Sequence, residues 1–234
     1  MRANQFQTTC WKNFRDLTSG DACSSQRAMN DICRTYWQPL YQFALSLNCS
    51  HEDAEDCVQG FLAKATVNDF FVLADPKKGR MRSYLLTAFK RYIYDVWKKD
   101  HALKRGGGTQ IESLENNRQN NSAENSSLVF DQQWALTIIE TAMGNLKLRY
   151  HVMGKNLAFS ELEACIDGSP LANTAKIAET LDISTATLKT LVYRIRKRFG
   201  EEVRKAVMET VATEEEIDDE LRWLIEVLGK HSHA

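Results

Sequence analysis

The sequence predicts an all-α protein of two helical modules joined by a flexible linker. Three observations lead to this fold class. Apolar residues recur at helical spacing through most of the chain, only three prolines interrupt its 234 residues, and a segment rich in Gly, Asn and Ser separates two helical regions. With 43% hydrophobic and 26% charged residues, the composition is that of a globular protein. The length is enough for two small domains that each have a core.

The first module begins with a helix over about residues 24 to 47, in which Pro39 is the one objection to an unkinked course. Its apolar positions are Ala28, Ile32, Trp37, Leu40, Tyr41, Ala44 and Leu47. The residues from Ser50 to Asp53 resemble a capping box that opens a second helix. One side of this helix is apolar, with Ala54, Cys57, Val58, Phe61, Leu62 and Ala65. The other side is acidic and exposed, with Glu52, Glu55, Asp56 and Gln59.

A third helix follows a loop marked by Asp75, Pro76 and Gly79. Its apolar positions are Met81, Tyr84, Leu85, Ala88, Phe89, Tyr92, Ile93, Val96 and Trp97. Its other side carries Arg82, Lys90, Arg91, Tyr94, Lys98 and Lys99. Between Lys77 and Arg105 there are ten basic residues and two acidic ones, so this region is strongly positive although the whole chain has a net charge of -1. Such a patch indicates a nucleic-acid partner.

The composition then changes at Gly106, and helical patterning resumes near Trp134 with Ile138, Ile139, Ala142, Met143 and Leu146. We therefore expect four segments. Residues 1–105 form the first module, 106–128 the flexible linker, 129–204 the second module and 205–234 an acidic C-terminal extension.

The second module contains a predicted helix-turn-helix over residues 173 to 199. A short helix with Ile177 and Ala178 inside is followed by a turn at Asp182 and a second helix from Ser184, which buries Leu188, Leu191 and Ile195. In this motif the second helix presents side chains to the major groove of DNA, and flanking cations hold phosphates. The predicted base readers are Thr185, Thr187, Lys189, Thr190 and Arg194, and the predicted phosphate contacts are Arg196, Lys197 and Arg198. A helical hairpin with a solvated basic side is the alternative.

Catalytic and metal-binding patterns are weak. No nucleophile elbow, zinc-protease, P-loop or dinucleotide-binding motif occurs, and Cys49, His51 and Cys57 do not have the spacing of a zinc site. Six unpaired cysteines indicate reduced thiols, and no apolar run has the length of a membrane span. We expect no enzyme activity, no cofactor, no metal, no membrane association and a location in the cytoplasm.

The acidic segment from Glu209 to Glu226 holds eight acids and one arginine. Its apolar residues Leu221, Trp223, Leu224, Val227 and Leu228 have helical spacing, which predicts an amphipathic helix. One hypothesis is that this helix competes with DNA for the basic side of residues 189 to 205. The alternative is a solubilising terminal helix without a regulatory role.

The motifs together resemble the sigma-seventy family of RNA polymerase sigma factors, in its extracytoplasmic-function-like (ECF-like) subgroup. DAEDCVQGF at 53 to 61 resembles the polymerase-binding helix of sigma domain 2. MRSYLLTAFKRYIYDVWKK at 81 to 99 is similar to the promoter-melting helix of that domain, and residues 173 to 199 resemble sigma domain 4. YWQPLY, ADPKKGRMRSYLLTAF, KRGGG and DDELRWL are similar to one subgroup. Gly60 and Asn173 depart from the family pattern, the first at a position that is often acidic and the second at one that is usually aromatic.

The resemblance implies three binding surfaces. Core RNA polymerase would bind Asp53, Glu55, Asp56 and Gln59, because an acidic face suits a basic coiled coil. Proximal promoter DNA would bind Lys78, Arg80, Arg82, Lys90, Arg91, Tyr94, Lys98 and Lys99, with Tyr94 as the base-stacking residue. Distal promoter DNA would bind the helix-turn-helix residues Thr185, Thr187, Lys189, Thr190, Arg194, Arg196, Lys197 and Arg198.

The implied function is a sigma factor that binds core polymerase, recognises a promoter, opens the DNA and starts transcription. An anti-sigma factor is a partner that the sequence leaves open. The alternatives are a stand-alone helix-turn-helix regulator and an enzyme with an unrecognised site. The sigma interpretation alone explains why an acidic helix and a second basic helix accompany the helix-turn-helix.

Overall fold

The computed structural model describes residues 22–67, 80–104, 122–211 and 213–231 of the chain. The described residues form helices and connecting turns without strands, which confirms the all-α fold class. The α-helices are α1 (Ala22–Ser46), α2 (His51–Val67), α3 (Met81–Lys104), α4 (Ser122–Val152), α5 (Asn156–Leu162), α6 (Thr174–Thr180), α7 (Thr185–Met208) and α8 (Glu215–His231). A short 3-10 helix, Glu163–Cys165, follows α5.

The chain divides into two compact units whose bounds differ from the predicted modules. Unit 1 comprises residues 1–137 and 208–234, and unit 2 comprises residues 138–207. The C-terminal extension therefore belongs to the same unit as the first module. Helix α4 begins at Ser122, within the predicted linker, so residues 122–128 are helical. The rest of that linker, from 106 to 121, lies outside the described residues.

The core of unit 1 contains the apolar sides of α1, α2 and α3. All six apolar residues predicted for α2 are buried, and α1 runs through the buried Pro39 without interruption. On α1 the buried aromatic residues are Tyr36 and Phe43, whereas the predicted Trp37 is only half-buried. The spacing of apolar residues thus located the helix correctly but chose the wrong member of an adjacent aromatic pair.

A capping arrangement begins α2 as predicted. The backbone N–H of Asp53 donates a hydrogen bond to Ser50 Oγ at 3.1 Å, and the Ser50 hydroxyl donates to the Asp53 carboxylate at 2.7 Å. The serine thereby satisfies one of the free amide groups at the helix N-terminus, and the carboxylate lies at the positive end of the helix dipole.

Gly60 has a packing role where α2 meets α3. A Cβ atom at this position would lie 2.3 Å from the hydroxyl oxygen of Tyr92, far closer than real contacts allow. The Tyr92 ring also lies 5.8 Å from the ring of Phe61 between centroids, and Lys64 Nζ lies 5.6 Å from its centre. The departure of Gly60 from the family pattern therefore makes room for a tyrosine of α3.

Unit 2 is built from the C-terminal part of α4, α5, the 3-10 helix, α6 and α7. Its buried core is formed by Leu146, Tyr150, Phe159, Leu162, Cys165, Ile166, Ala178, Leu188 and Ile195. Gly154, two residues after the end of α4, has a φ of +67°, and the N–H of Lys155 donates to the Tyr150 carbonyl. This left-handed glycine ends the helix and starts the turn to α5, a break that the apolar spacing did not predict.

The helix-turn-helix consists of α6, a turn at 181 to 184, and α7. Asp182, in the predicted turn, has a φ of 52°, a left-handed conformation that a short polar side chain tolerates. Asn173, directly before α6, is also left-handed, with a φ of 53°. A polar residue that tolerates this conformation therefore stands where the family pattern has an aromatic one.

Candidate nucleic-acid and polymerase-binding surfaces

The first surface lies on α3 and is called the α3 face. Arg91, Tyr94, Lys98 and Lys99 are exposed there, together with Asp95. Tyr94 is 45% exposed, and its ring meets the edge of the Trp97 ring at 5.9 Å between centroids. Phe89 is fully buried, and Tyr84 and Trp97 are half-buried. Among the aromatic residues of α3, Tyr94 is thus the one whose exposure suits stacking on an unpaired base.

Arg82 is not part of this face, which corrects the prediction. Its side chain is buried, with 6% of the residue exposed. Arg82 Nε donates to Glu220 Oε1 of α8 at 2.6 Å, and Nη1 donates to Asp131 of α4. Its guanidinium carbon lies 5.2 Å from the ring centres of both Trp134 and Trp223. A buried cation with two carboxylates and two indole rings is held by the protein and cannot reach DNA.

Arg80 lies one residue before α3 and is partly exposed. Its side chain is 32% exposed, and Nη1 lies 2.9 Å from Glu220 Oε2. This is an ion-pair distance, but Glu220 Oε2 makes no hydrogen bond. The neighbouring Lys78, which was predicted to bind DNA, lies outside the described residues.

Lys90 is half-buried rather than free on the surface. Its ammonium donates to the Ser127 hydroxyl at 2.8 Å and lies 5.5 Å from the ring centre of Phe43. Burial lowers the pKa of Lys90, and the nearby Asp131 acts in the opposite direction. Burial likewise raises the pKa of Asp131, against the lowering effect of Arg82. Lys90 is therefore a weaker candidate for DNA contact than the exposed cations.

The second surface is the outward side of α7, called the α7 face. Thr185, Lys189, Thr190, Arg194 and Lys197 are all exposed on it. Ser184 caps the helix, since the backbone N–H of Thr187 donates to its hydroxyl oxygen at 3.1 Å. The Thr187 side chain lies 2.9 Å from the same hydroxyl. Lys189, Arg194 and Lys197 have no ion pair within the described part of the chain, so their charges are available to a partner.

Arg196 and Arg198 are half-buried and make contacts inside unit 2, so they are weaker candidates for the predicted phosphate contacts than the exposed Lys197. Arg196 donates from Nε to the Cys165 carbonyl and from Nη2 to the Ser169 carbonyl, both at 2.8 Å. Arg198 packs over the Tyr150 ring, with 5.7 Å between its guanidinium carbon and the ring centre. Arg196 thus holds α7 against residues 165 to 169, and Arg198 holds it against α4.

Tyr193 is a residue of the α7 face that the sequence reasoning missed. It is 66% exposed and lies four residues from both Lys189 and Lys197, so the three share one side of the helix. The signal was present in that spacing, but an aromatic residue in a helix is ordinarily assigned to the core.

The third surface is the acidic face of α2, formed by Glu52, Asp53, Glu55, Asp56 and Gln59. All five are exposed. Asp53 is shared with the capping arrangement, whereas Glu55 and Asp56 make no ion pair within the residues described. A concentrated negative charge on one helix side can bind a basic partner and orient it.

An apolar groove at the α4–α5 turn of unit 2 was also missed. Its lining includes Leu148, Leu157 and Phe159. Leu148 and Leu157 are exposed, and so is Val152 at the end of α4. Leu148, Val152 and Leu157 thus place exposed aliphatic side chains near this turn.

Two further observations concern metal binding and membrane spans. His51 Nδ1 lies 2.6 Å from the hydroxyl of Tyr41, and the described residues contain no group of metal ligands arranged to hold an ion. None of the helices in the described ranges combines the length and apolar character needed to cross a membrane.

Comparison with known proteins connects these surfaces to one family. The sequence model described as ECF sigma factor matches residues 15–205, which cover α1 to α6 and most of α7. No curated protein and no solved structure matches the chain. Because the match spans most of the 234 residues, the protein belongs to the ECF sigma factor family.

Proposed function

We propose that this protein binds core RNA polymerase and directs it to promoters, where it helps to open the DNA and start transcription. The observation that carries the proposal is the presence, in one member of this family, of an acidic face and two separate cationic faces. In this role the protein would act in the cytoplasm, with polymerase and promoter DNA as its partners. An anti-sigma factor would be a further partner in regulation.

The acidic face of α2 is the proposed site for core polymerase. Glu55 and Asp56 project their carboxylates into solvent, and Gln59 lies one turn further along the helix. A basic helical surface on the polymerase would complement this charge, speed encounter and fix the orientation of the complex.

The α3 face, with Arg80 beside it, is proposed to bind the proximal promoter element after the strands separate. Arg91, Lys98 and Lys99 would hold phosphates, and Tyr94 would stack on an unpaired base. Lys78 retains its proposed role from the sequence. Arg82 is excluded by its burial.

The α7 face is proposed to read the distal promoter element in the major groove. Thr185, Thr187, Lys189, Thr190 and Arg194 would contact base edges, and Lys197 would contact backbone phosphate. Tyr193 is added to this set because it lies between the two lysines. Each base contact of this type contributes specificity at one position of the DNA.

Reconstituted transcription tests the proposal. Core polymerase and this protein should together start RNA synthesis at a promoter that neither uses alone. Glu55→Lys with Asp56→Lys should abolish that synthesis and the copurification with core polymerase, because both charges on the docking surface are reversed. The matched control reverses Glu214 and Glu215, which are exposed near the start of α8.

Specific binding of the protein to duplex DNA without any effect of polymerase would support a stand-alone regulator instead. Equal loss of synthesis in the α2 and α8 variants would remove the acidic face of α2 from the docking surface.

A further inference from the structure

The C-terminal helix α8 places one carboxylate between two arginines at the start of α3. Glu220 is 1% exposed, and its two oxygens lie 2.6 Å from Arg82 Nε and 2.9 Å from Arg80 Nη1. The sequence had suggested residues 189 to 205 as the target of this acidic segment. The structure instead pairs it with cations beside the α3 face.

The two arginines differ in how firmly they are held. Arg82 is buried, is bound by Asp131 as well as Glu220, and lies over Trp134 and Trp223. Removing it from this position would leave two carboxylates without their cation in an apolar surrounding, which is strongly unfavourable. Arg82 therefore anchors α8 to α3 within unit 1.

Within the described residues, the Arg80 side chain makes a single ion pair, with Glu220. About a third of its side chain is exposed, and the Glu220 oxygen nearest to it makes no hydrogen bond. A partly solvated pair without good hydrogen-bond geometry contributes little stability. Arg80 can thus leave Glu220 for another anion while the anchor at Arg82 stays in place.

We propose that α8 is an intramolecular competitor of DNA, in which Glu220 holds Arg80 until a nucleic-acid phosphate takes the arginine. This inference rests on the proposed DNA-binding role of the α3 face and adds a regulatory element to it. A phosphate that approaches Arg80 must displace the Glu220 carboxylate. While Glu220 holds Arg80, the protein therefore makes one phosphate contact fewer.

The exposed acids of α8 strengthen the competition. Glu215 and Asp218 precede Glu220 on the same helix and are exposed. At a rise of about 1.5 Å per residue, they start within about 8 Å of Glu220 along the helix axis, which is one Debye length at physiological salt. Their field repels phosphates near Arg80, and added salt weakens this effect.

The test uses the full chain and a fluorescent forked oligonucleotide with one duplex arm and an unpaired tail. Binding is measured by anisotropy over a range of salt concentrations. Glu220→Gln retains the size of the side chain and a polar contact to Arg82 but removes the competing charge. We expect roughly threefold to tenfold tighter binding at low salt. The slope of log affinity against log salt should steepen by about one, because one more phosphate is neutralised.

A double-mutant cycle links the gain to Arg80. Arg80→Ala should weaken binding more in the Glu220→Gln background than in the wild type, since only there is the arginine released. Asp219→Asn is the matched control, because it removes one charge from the same helix at a residue that pairs with the exposed Arg222. It should leave the salt slope near that of the wild type.

An equal loss from Arg80→Ala in both backgrounds would overturn the proposal, and so would a failure of Glu220→Gln to tighten binding. If Glu220→Gln does not fold, as judged by its thermal transition, Arg80→Ala is compared with Arg91→Ala in the wild type. A smaller loss at Arg80 supports the competition, and an equal loss contradicts it. Polymerase-dependent transcription tests the proposed function independently of these binding measurements.

Discussion

Helices α3 and α7 both carry a cationic face, and each also has an arginine that is bound by other groups of the protein. On α3, Arg82 is neutralised by the carboxylates of Asp131 and Glu220. On α7, Arg196 is bound by the carbonyl oxygens of Cys165 and Ser169, which carry no charge. In unit 1, carboxylates therefore neutralise an arginine near the start of α3. In unit 2, uncharged carbonyls bind an arginine of α7 and leave its positive charge in place. Equal counts of arginine and lysine do not give equal attraction for DNA.

The comparison is tested most strongly at Arg82. Arg82→Ala should lower the free energy of unfolding by about 3 to 5 kcal/mol, because the buried Glu220 and the partly buried Asp131 would lose the cation that they share. Urea denaturation followed by circular dichroism measures the change. Arg222→Ala, which removes an exposed pair on α8, should cost less than about 1 kcal/mol. Similar losses in the two variants would show that the Arg82 cluster does not stabilise unit 1.

Arg196 provides the corresponding test in unit 2. Arg196→Ala should lower the free energy of unfolding by about 2 to 3 kcal/mol, since two hydrogen bonds from a charged group to carbonyls are lost. The exposed neighbour Lys197→Ala should change stability by less than about 0.5 kcal/mol. If Arg196→Ala left stability intact and weakened every DNA sequence alike, Arg196 would be a phosphate contact after all.

The α7 face can be divided further into reading and holding residues. Lys189→Ala or Arg194→Ala should change the preferred distal sequence, with a loss of about 1 to 3 kcal/mol at one base pair. Lys197→Ala should weaken all sequences equally and lower the salt slope by about one. Selection from a randomised distal site, performed with the polymerase complex, measures both effects. A uniform loss in all three variants would assign the whole face to the DNA backbone.

The smallest effect is expected at the contact between α2 and α3. Gly60→Ala should lower the free energy of unfolding by about 1 kcal/mol, because its Cβ would displace the Tyr92 hydroxyl. Combining it with Tyr92→Phe removes the atom nearest to the new methyl group and should restore part of the loss. Additive losses in the double variant would mean that the Tyr92 hydroxyl is not the obstacle.

Local features of this fold were predictable because they depend on residues near each other in sequence. The apolar spacing of α2, the serine caps at Ser50 and Ser184, and the left-handed Asp182 all follow from rules that act within a few residues. The family resemblance located the same helices independently. The end of α4 was missed although Gly154 marks it, because the apolar pattern continues beyond the break.

Long-range neutralisation was not predictable in this way. Arg82 has the spacing of a solvated cation on an amphipathic helix, and nothing near it in sequence shows that Glu220 and Trp223 cover it. The internal contacts of Arg196 were missed for a related reason, since its partners are backbone carbonyls that every sequence contains. The exposed cations of the two faces were correctly placed on the surface because no apolar neighbour requires their burial. Their DNA contacts stay predictions.

Unit 1 combines two segments, 1–137 and 208–234, that are far apart in the chain. Its contacts therefore form in a fixed order during synthesis on the ribosome. Arg82 and Glu220 are 138 residues apart in the chain. At about 5 to 20 residues per second, translation from one to the other takes roughly 7 to 28 seconds. A nascent chain therefore presents Arg82 without Glu220 until α8 has emerged, and closing so long a loop is a late, entropically costly step. The unit that begins first is completed last, so a chain terminated before α8 would never bury this arginine with both of its carboxylates.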